Sequence, residues 1–119
     1  MQHWKLSEID TPEGSRSPVV LHSQEGERRV VLLGLEPGQS LDEHQVKEAA
    51  LLLVVDGNVR VEAGNESVDA GPGELFRFDP DERHSISTEG AARLLLLLAP
   101  WPGEGHYRGD PSRSGVSAS

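Results

Sequence analysis

The sequence predicts an all-β fold, a closed or nearly closed sandwich of short strands, and three observations carry that prediction. Runs rich in Val, Leu and Ile alternate with Gly, Pro, Asn and Asp every few residues. No segment keeps a helical period for three turns. Residues 51–55 and 94–98 are apolar at every position, as strands covered on both faces are. Over 119 residues the pattern gives eight strands, which suits a barrel or two-sheet sandwich with few free edges.

In chain order the strands fall at 19–23, 28–35, 48–55, 58–63, 66–69, 74–78, 84–88 and 91–99. The residues between them give each boundary a cause. Asp56-Gly57-Asn58 predicts a tight hairpin, because Asp-Gly readily takes positive φ angles. Ala63-Gly64-Asn65 predicts a second, and Gly71-Pro72-Gly73 a corner. Asn65-Glu66-Ser67 has the spacing of a glycosylation sequon but reads better as a turn entering a strand. In 58–63, Val59, Val61 and Ala63 share one face and Arg60 and Glu62 the other, so one side of that strand is wet. Phe76 and Phe78 share a buried face by the same alternation.

The two all-apolar runs fill an interior with one side and need a cover on the other. That cover is either the N-terminal segment or a second subunit. A sheet-to-sheet homodimer is the preferred reading, because few other apolar residues remain to do it. Residues 1–17, rich in Pro, Gly and Ser from 10 onward, are expected to form a flexible arm. Residues 18–108 form the barrel domain, and 109–119, GDPSRSGVSAS, a disordered tail.

Composition excludes several classes of function. The chain has no cysteine, so thiolate nucleophiles, disulfides and sulfur-ligated zinc are ruled out, and any metal would rest on His, Asp, Glu, Asn or Gln. Eleven basic against twenty acidic residues give a charge of −9, which repels phosphate backbones and anionic membrane surfaces. Neither nucleic acid nor membrane is expected as a partner. MQHWKLSEID carries no apolar run of signal length and no other run could span a bilayer, so a cytoplasmic location is expected. Arg is used far more than Lys, which fits a bacterial source with a GC-rich genome and has no mechanistic weight.

Two segments carry the most specific pattern: GQSLDEHQVKEAALLLVVDG at 38–57 and GELFRFDPDERH at 73–84. They resemble the two motifs of the cupin family. The first motif reads Gly, five residues, His, one residue, His, three or four residues, Glu, six residues, Gly. Gly38, His44 and Gly57 fall in register, with Val46 at the second His and Ala50 (or Leu51) at the Glu. In the second, Gly73 and His84 match, while Asp79, Asp81 and Thr88 replace the family's Pro, Gly and Asn, and Pro80 is shifted by one place. The resemblance covers 38–88 and extends with the strand pattern to about 99. It implies a double-stranded β-helix, or jelly-roll, barrel with His44 and His84 on adjacent strands projecting into an open mouth.

Two imidazoles seldom hold a divalent metal alone, since such ions usually take three protein ligands. Glu48 shares the parity of His44, so His44, Glu48 and His84 make a candidate set of two His and one carboxylate, the ligand type of non-haem iron oxygenases. On that reading the chain is a metal-dependent oxygenase, isomerase or cyclase acting on a small organic substrate, with Fe, Mn, Zn or Ni. The leading reading is different. Val46, Ala50 and Leu52 make the mouth apolar, and with His44 and His84 they line a metal-free or weakly metal-binding pocket for a small organic molecule. One histidine would then serve for hydrogen bonding or as a general base. A regulatory or structural dimer module without a ligand is the third reading.

Trp101, Glu104, His106 and Tyr107 lie among Pro and Gly after the last strand. They either fold over the mouth as a lid, adding His106 to the ligand site, or seal the barrel base or the dimer seam. His3 and His22 read as surface or packing residues. Asp79, Asp81 and Glu82 form an acidic turn beside His84, either solvated or acting on that imidazole through their carboxylates.

Overall fold

Nine antiparallel strands form two sheets facing one another among the described residues. The computed structural model describes residues 1–11, 18–44 and 49–100, and the side chains of all these except 42–44. The strands are β1 (Val19–Gln24), β2 (Arg28–Leu35), β3 (Ser40–His44), β4 (Ala49–Asp56), β5 (Val59–Ala63), β6 (Glu66–Ala70), β7 (Leu75–Phe78), β8 (His84–Ser87) and β9 (Ala92–Ala99). One sheet has the order β1-β2-β9-β4-β7 and the other β3-β8-β5-β6. The expected all-β jelly roll is what the chain adopts. The strand absent from the sequence reading is β3, whose SLDEH carries a single apolar side chain. It is an edge strand held by backbone pairing to β8, so it needs no apolar stripe.

Alternation sets what each strand buries. Ala50, Leu52 and Val54 of β4, Leu94 and Leu98 of β9, Leu33 and Leu35 of β2, Val59 and Val61 of β5 and Ile86 of β8 turn inward into one core. Arg60 and Glu62 stay in water, as expected from the 58–63 pattern. The interior is layered. Val54, Leu94 and Val59 fill one end, Leu52 and Ile86 the middle, and Ala50, Phe78, Leu98 and His84 the other end.

One expected turn is of a different kind. Asp56-Gly57-Asn58 does not close a hairpin: β4 and β5 belong to different sheets, so the segment is an arch between them. Gly57 does take a positive φ, 82°, and a Cβ there would come within 2.8 Å of the Ala92 Cα. The arch replaces the hairpin because β4 already pairs with β9 on one side and β7 on the other, leaving no edge for β5, which pairs with β8 and β6 in the facing sheet. Ala63-Gly64-Asn65 does join paired strands, and Gly71-Pro72-Gly73 is a corner crossing from one sheet to the other.

The outward face of the five-stranded sheet is apolar too, and the N-terminal segment lies across one end of it. Leu6–Glu8 forms a 3-10 turn, and the Arg93 guanidinium donates to the carbonyls of Leu6, at 2.8 Å, and of Ile9. Thr11 sits against Gly34, where a Cβ would meet its Cβ at 2.7 Å. On that outward face Leu32 is fully buried. Farther along, Leu53, Leu95, Leu97 and Val30 are half-buried, and Leu51 and Leu75 are exposed at 37% and 62%. The arm therefore supplies part of the cover that the sequence demands.

Arg93→Ala is expected to lower stability by about 1.5–3 kcal/mol, the range for hydrogen bonds to a charged group. It should also speed tryptic cleavage after Lys5 while the β-sheet circular dichroism persists. Gly34→Val should give the same faster cleavage with Arg93 intact; unchanged cleavage in both variants would refute the docking.

Candidate functional site

The site lies at the Ala50 end of the barrel, where the two sheets contribute different chemistry. In the four-stranded sheet the backbone register places His44 opposite His84, His84 opposite Ala63, and Ala63 opposite Glu66. Residues directly opposite one another share a face, so the side chains of His84, Ala63 and Glu66 form one row out to the exposed edge strand β6, with the His44 backbone across from His84. In the five-stranded sheet Ala50 pairs with Phe78 on one side and Leu98 on the other.

His84 is 3% exposed, and its ring lies flat on that of Phe78, with centroids 3.9 Å apart and planes within 2°. Phe78 in turn stacks on Phe76 at 6.4 Å. The stack joins β7 of one sheet to β8 of the other, and such aromatic pairs add about 0.5–1.5 kcal/mol beyond their burial. The short β7–β8 connection brings them together. Asp79-Pro80-Asp81-Glu82 turns with Pro80 second and Asp81 at φ 66°, and the Glu82 amide donates to the Asp79 carbonyl at 3.0 Å. Asp81 thus carries the left-handed conformation at the position where the family motif has Gly. The carboxylate of Glu82 accepts the Asp79 amide at 2.9 Å, and the Arg77 guanidinium holds the Asp79 carboxylate. His84 Nδ1 lies 3.2 Å from the carbonyl oxygen of Glu82. The contact between the acidic turn and the imidazole runs through a peptide carbonyl, with the Glu82 carboxylate engaged inside the turn.

Not all of the expected site residues come together here. Ala50 and Leu52 are inward and 1% exposed, Ala50 beside Phe78 and Leu52 one layer deeper beside Phe76 and Leu96. His44 is placed by its backbone, across from His84. Val46, Glu48 and His106 lie outside the described residues, as do Trp101, Glu104 and Tyr107. His22 is half-buried, its Nε2 3.5 Å from Arg28 Nη1. Thr88, at the family's Asn position, is 8% exposed and sits at the far end of the barrel, its hydroxyl 2.8 Å from the Asn58 carbonyl and 2.6 Å from that of Gly90. It ties the β4–β5 arch to the β8–β9 loop and takes no part in the His84 site.

Sequence reasoning assigned Phe78 to core packing and gave the rim no role. Alternation places Val68 on the inward face, opposite buried Val61, yet it is 42% exposed because β6 is an edge strand. Phe76, inward on the edge strand β7, is only half-buried. Val68 and Glu66 thus lie on the edge of one sheet and Phe76 on the edge of the other. Only the order of the strands makes β6 and β7 edges, so no local signal marks the exposure of these side chains. An open groove of about 730 Å³ at the opposite end is lined by Arg60, Asp69, Thr88 and Gly90, but Arg60 there is paired with Asp69 at 3.1 Å and Glu62 at 3.4 Å.

Residues 31–99 match the Cupin domain family. The chain belongs to the cupin family. Among solved structures it is similar to TT1209 from Thermus thermophilus, with 24% identity over 86% of this chain and 100% of that one and a TM-score of 0.74. A cupin superfamily protein from Desulfitobacterium hafniense shares 18% identity over 78% of this chain and 84% of that one, with a TM-score of 0.68. The cupin domain of Schizosaccharomyces pombe Cnp3 shares 14% over 82% and 68%, with a TM-score of 0.72. These likenesses establish the fold. No curated protein matches the chain, and no helix among the described residues is long and apolar enough to cross a membrane.

Within this cupin barrel the metal question turns on the donor set. Among the described residues no three His, Asp or Glu side chains come close enough to hold an ion. The family's carboxylate position, read as Ala50 or Leu51, resolves as Ala50, since Leu51 faces outward. A buried methyl group stands there against Phe78. The described residues do not furnish a metal centre by themselves, because a divalent ion takes three or more protein donors.

The left-handed Asp81 gives a direct check on the turn that carries His84. Asp81→Gly should exceed Asp81→Val in stability by about 1–2 kcal/mol, the cost of a β-carbon in this conformation, measured by urea unfolding. Equal stabilities would mean that the turn is not formed as described.

Proposed function

We propose that this cupin is a metal-free or weakly metal-binding pocket protein, taking a small organic molecule at the His44–His84 end of its barrel. The observation that carries the reading is the wall that surrounds His84. Ala50 replaces a charged ligand with a buried methyl, and Phe78 offers an aromatic face to one oriented imidazole. Apolar walls with a few placed polar groups are what small-molecule sites require. The half-buried Phe76 and the exposed, inward-facing Val68 extend the apolar lining to the seam between β6 and β7, the route we assign to the ligand. Glu66, in the same row as His84, stands at its rim.

The alternative is the metal-dependent oxygenase, isomerase or cyclase using His44, Glu48 and His84. The backbone pairing of His44 with His84 favours it to the extent of two of its three ligands. Elemental analysis of the purified protein separates the two. We expect metal well below one equivalent and a melting temperature unmoved by chelator. Stoichiometric Fe, Mn, Zn or Ni lost in both His44→Ala and His84→Ala would sink the pocket reading in favour of the enzyme. In a fragment screen by ligand-observed NMR on chelator-treated protein, small aromatic and carboxylic compounds should bind. His84→Ala and Ala50→Leu should each weaken the hits about tenfold or more, the loss of roughly 1.4 kcal/mol.

We further propose a homodimer formed through the outward face of the five-stranded sheet. Leu53, Leu95 and Leu75 lie in one cross-strand row there, and Leu51, Leu97 and Val30 in the next. This is a contiguous apolar strip beyond the end that the arm crosses, and a strip of that kind on a small protein marks an interface. Light scattering should give twice the chain mass for the wild type and the chain mass for Leu51→Glu; a wild-type monomer at all concentrations refutes the dimer.

A further inference from the structure

We infer that Glu82 is a positioning residue that fixes His84 in one tautomer, with the proton on Nδ1 and the lone pair on Nε2. The inference deepens the pocket reading and rests on His84 being the polar group of that pocket.

All three polar parts of Glu82 are committed. Its amide donates to the Asp79 carbonyl at 3.0 Å, its carboxylate accepts the Asp79 amide at 2.9 Å, and its carbonyl faces His84 Nδ1 at 3.2 Å. The first two close the turn from both sides, so the direction of the third is set by the turn and not by a free side chain. A peptide carbonyl accepts hydrogen bonds and cannot donate them. The nitrogen facing it must therefore carry the proton, which in a neutral imidazole leaves Nε2 as the acceptor.

Phe78 completes the restraint. It precedes the turn as His84 follows it, and its ring lies flat against the imidazole at 3.9 Å. Rotating the ring to offer Nε2 to the carbonyl would break this stack or the hydrogen bond. The bracket Phe78-turn-Glu82 thus holds both the plane and the tautomer of His84. The consequence for specificity is chemical. In a neutral His84 the ring's acceptor is Nε2, so any ligand group that meets it brings a donor, a hydroxyl or an N–H.

The test needs no ligand, which separates it from the test of function. Long-range ¹H–¹⁵N spectra of labelled protein at about pH 8, where an ordinary imidazole is neutral, should show His84 with a protonated Nδ1 and an unprotonated, pyridine-like Nε2. Glu82→Ala loses the carboxylate that closes the turn and should shift the two nitrogen resonances toward an averaged tautomer mixture. Glu82→Gln, whose amide oxygen can accept the same Asp79 amide, should restore the wild-type pattern. A wild-type His84 protonated on Nε2 overturns the inference outright, as does an unaltered tautomer in a folded Glu82→Ala. If the tautomer holds while no fragment binds, the positioning stands and the pocket reading falls.

Discussion

Everything in this barrel depends on two apolar sheet faces being closed against each other. Burying an aliphatic side chain is worth about 1.5–3 kcal/mol, and the inward rows of β2, β4, β5, β8 and β9 place Leu, Val and Ile there in layers. Val54, Leu94, Leu52 and Ile86 fill the far end and the middle with side chains that are almost wholly buried. The layer of Ala50, Phe78, Leu98 and His84 differs by stacking an aromatic ring on a buried imidazole. The pocket we propose lies at that end.

The same closure explains how the site is assembled. His84 and Phe78 belong to different sheets and meet only because the turn between them is short and tied across itself. The family's turn uses Gly for its left-handed position, whereas this chain uses Asp81, a residue type that tolerates the conformation better than most. A degenerate motif thus keeps the geometry of the histidine while losing its companions. Val46 and Ala50 remove two donors, and the aromatic stack remains as the surroundings of the one that is buried.

The outward face of the five-stranded sheet shows the cost of two adjacent strands, β4 and β9, that are apolar on both sides. The arm covers the end near Gly34 and Arg93, where the missing side chain of Gly34 admits Thr11 and the guanidinium fastens two carbonyls. The rows through Leu53 and Leu97 lie beyond it. One surface is thereby divided between an intramolecular cover and a strip suited to a second copy.

The all-β class, the inward rows and most strand positions are legible in the sequence, because period-two alternation and turn residues are local signals; that His44 and His84 lie on adjacent strands is implied only by the resemblance to the cupin motifs, and the backbone register agrees. The sequence missed β3, whose SLDEH has no apolar stripe and is held by backbone pairing to β8. It also took Asp56-Gly57-Asn58 for a hairpin, since Asp-Gly fixes the backbone angles of a turn but not which strands pair across it. The packed molecule decided that the N-terminal segment would lie against Gly34 and Arg93, that Val68 and Phe76 would fall on edge strands, and that the acidic turn would meet His84 through a carbonyl. Those outcomes follow from strand order and from which sheet each strand joins, and long-range pairing of that kind leaves no trace in the residues on either side of a turn.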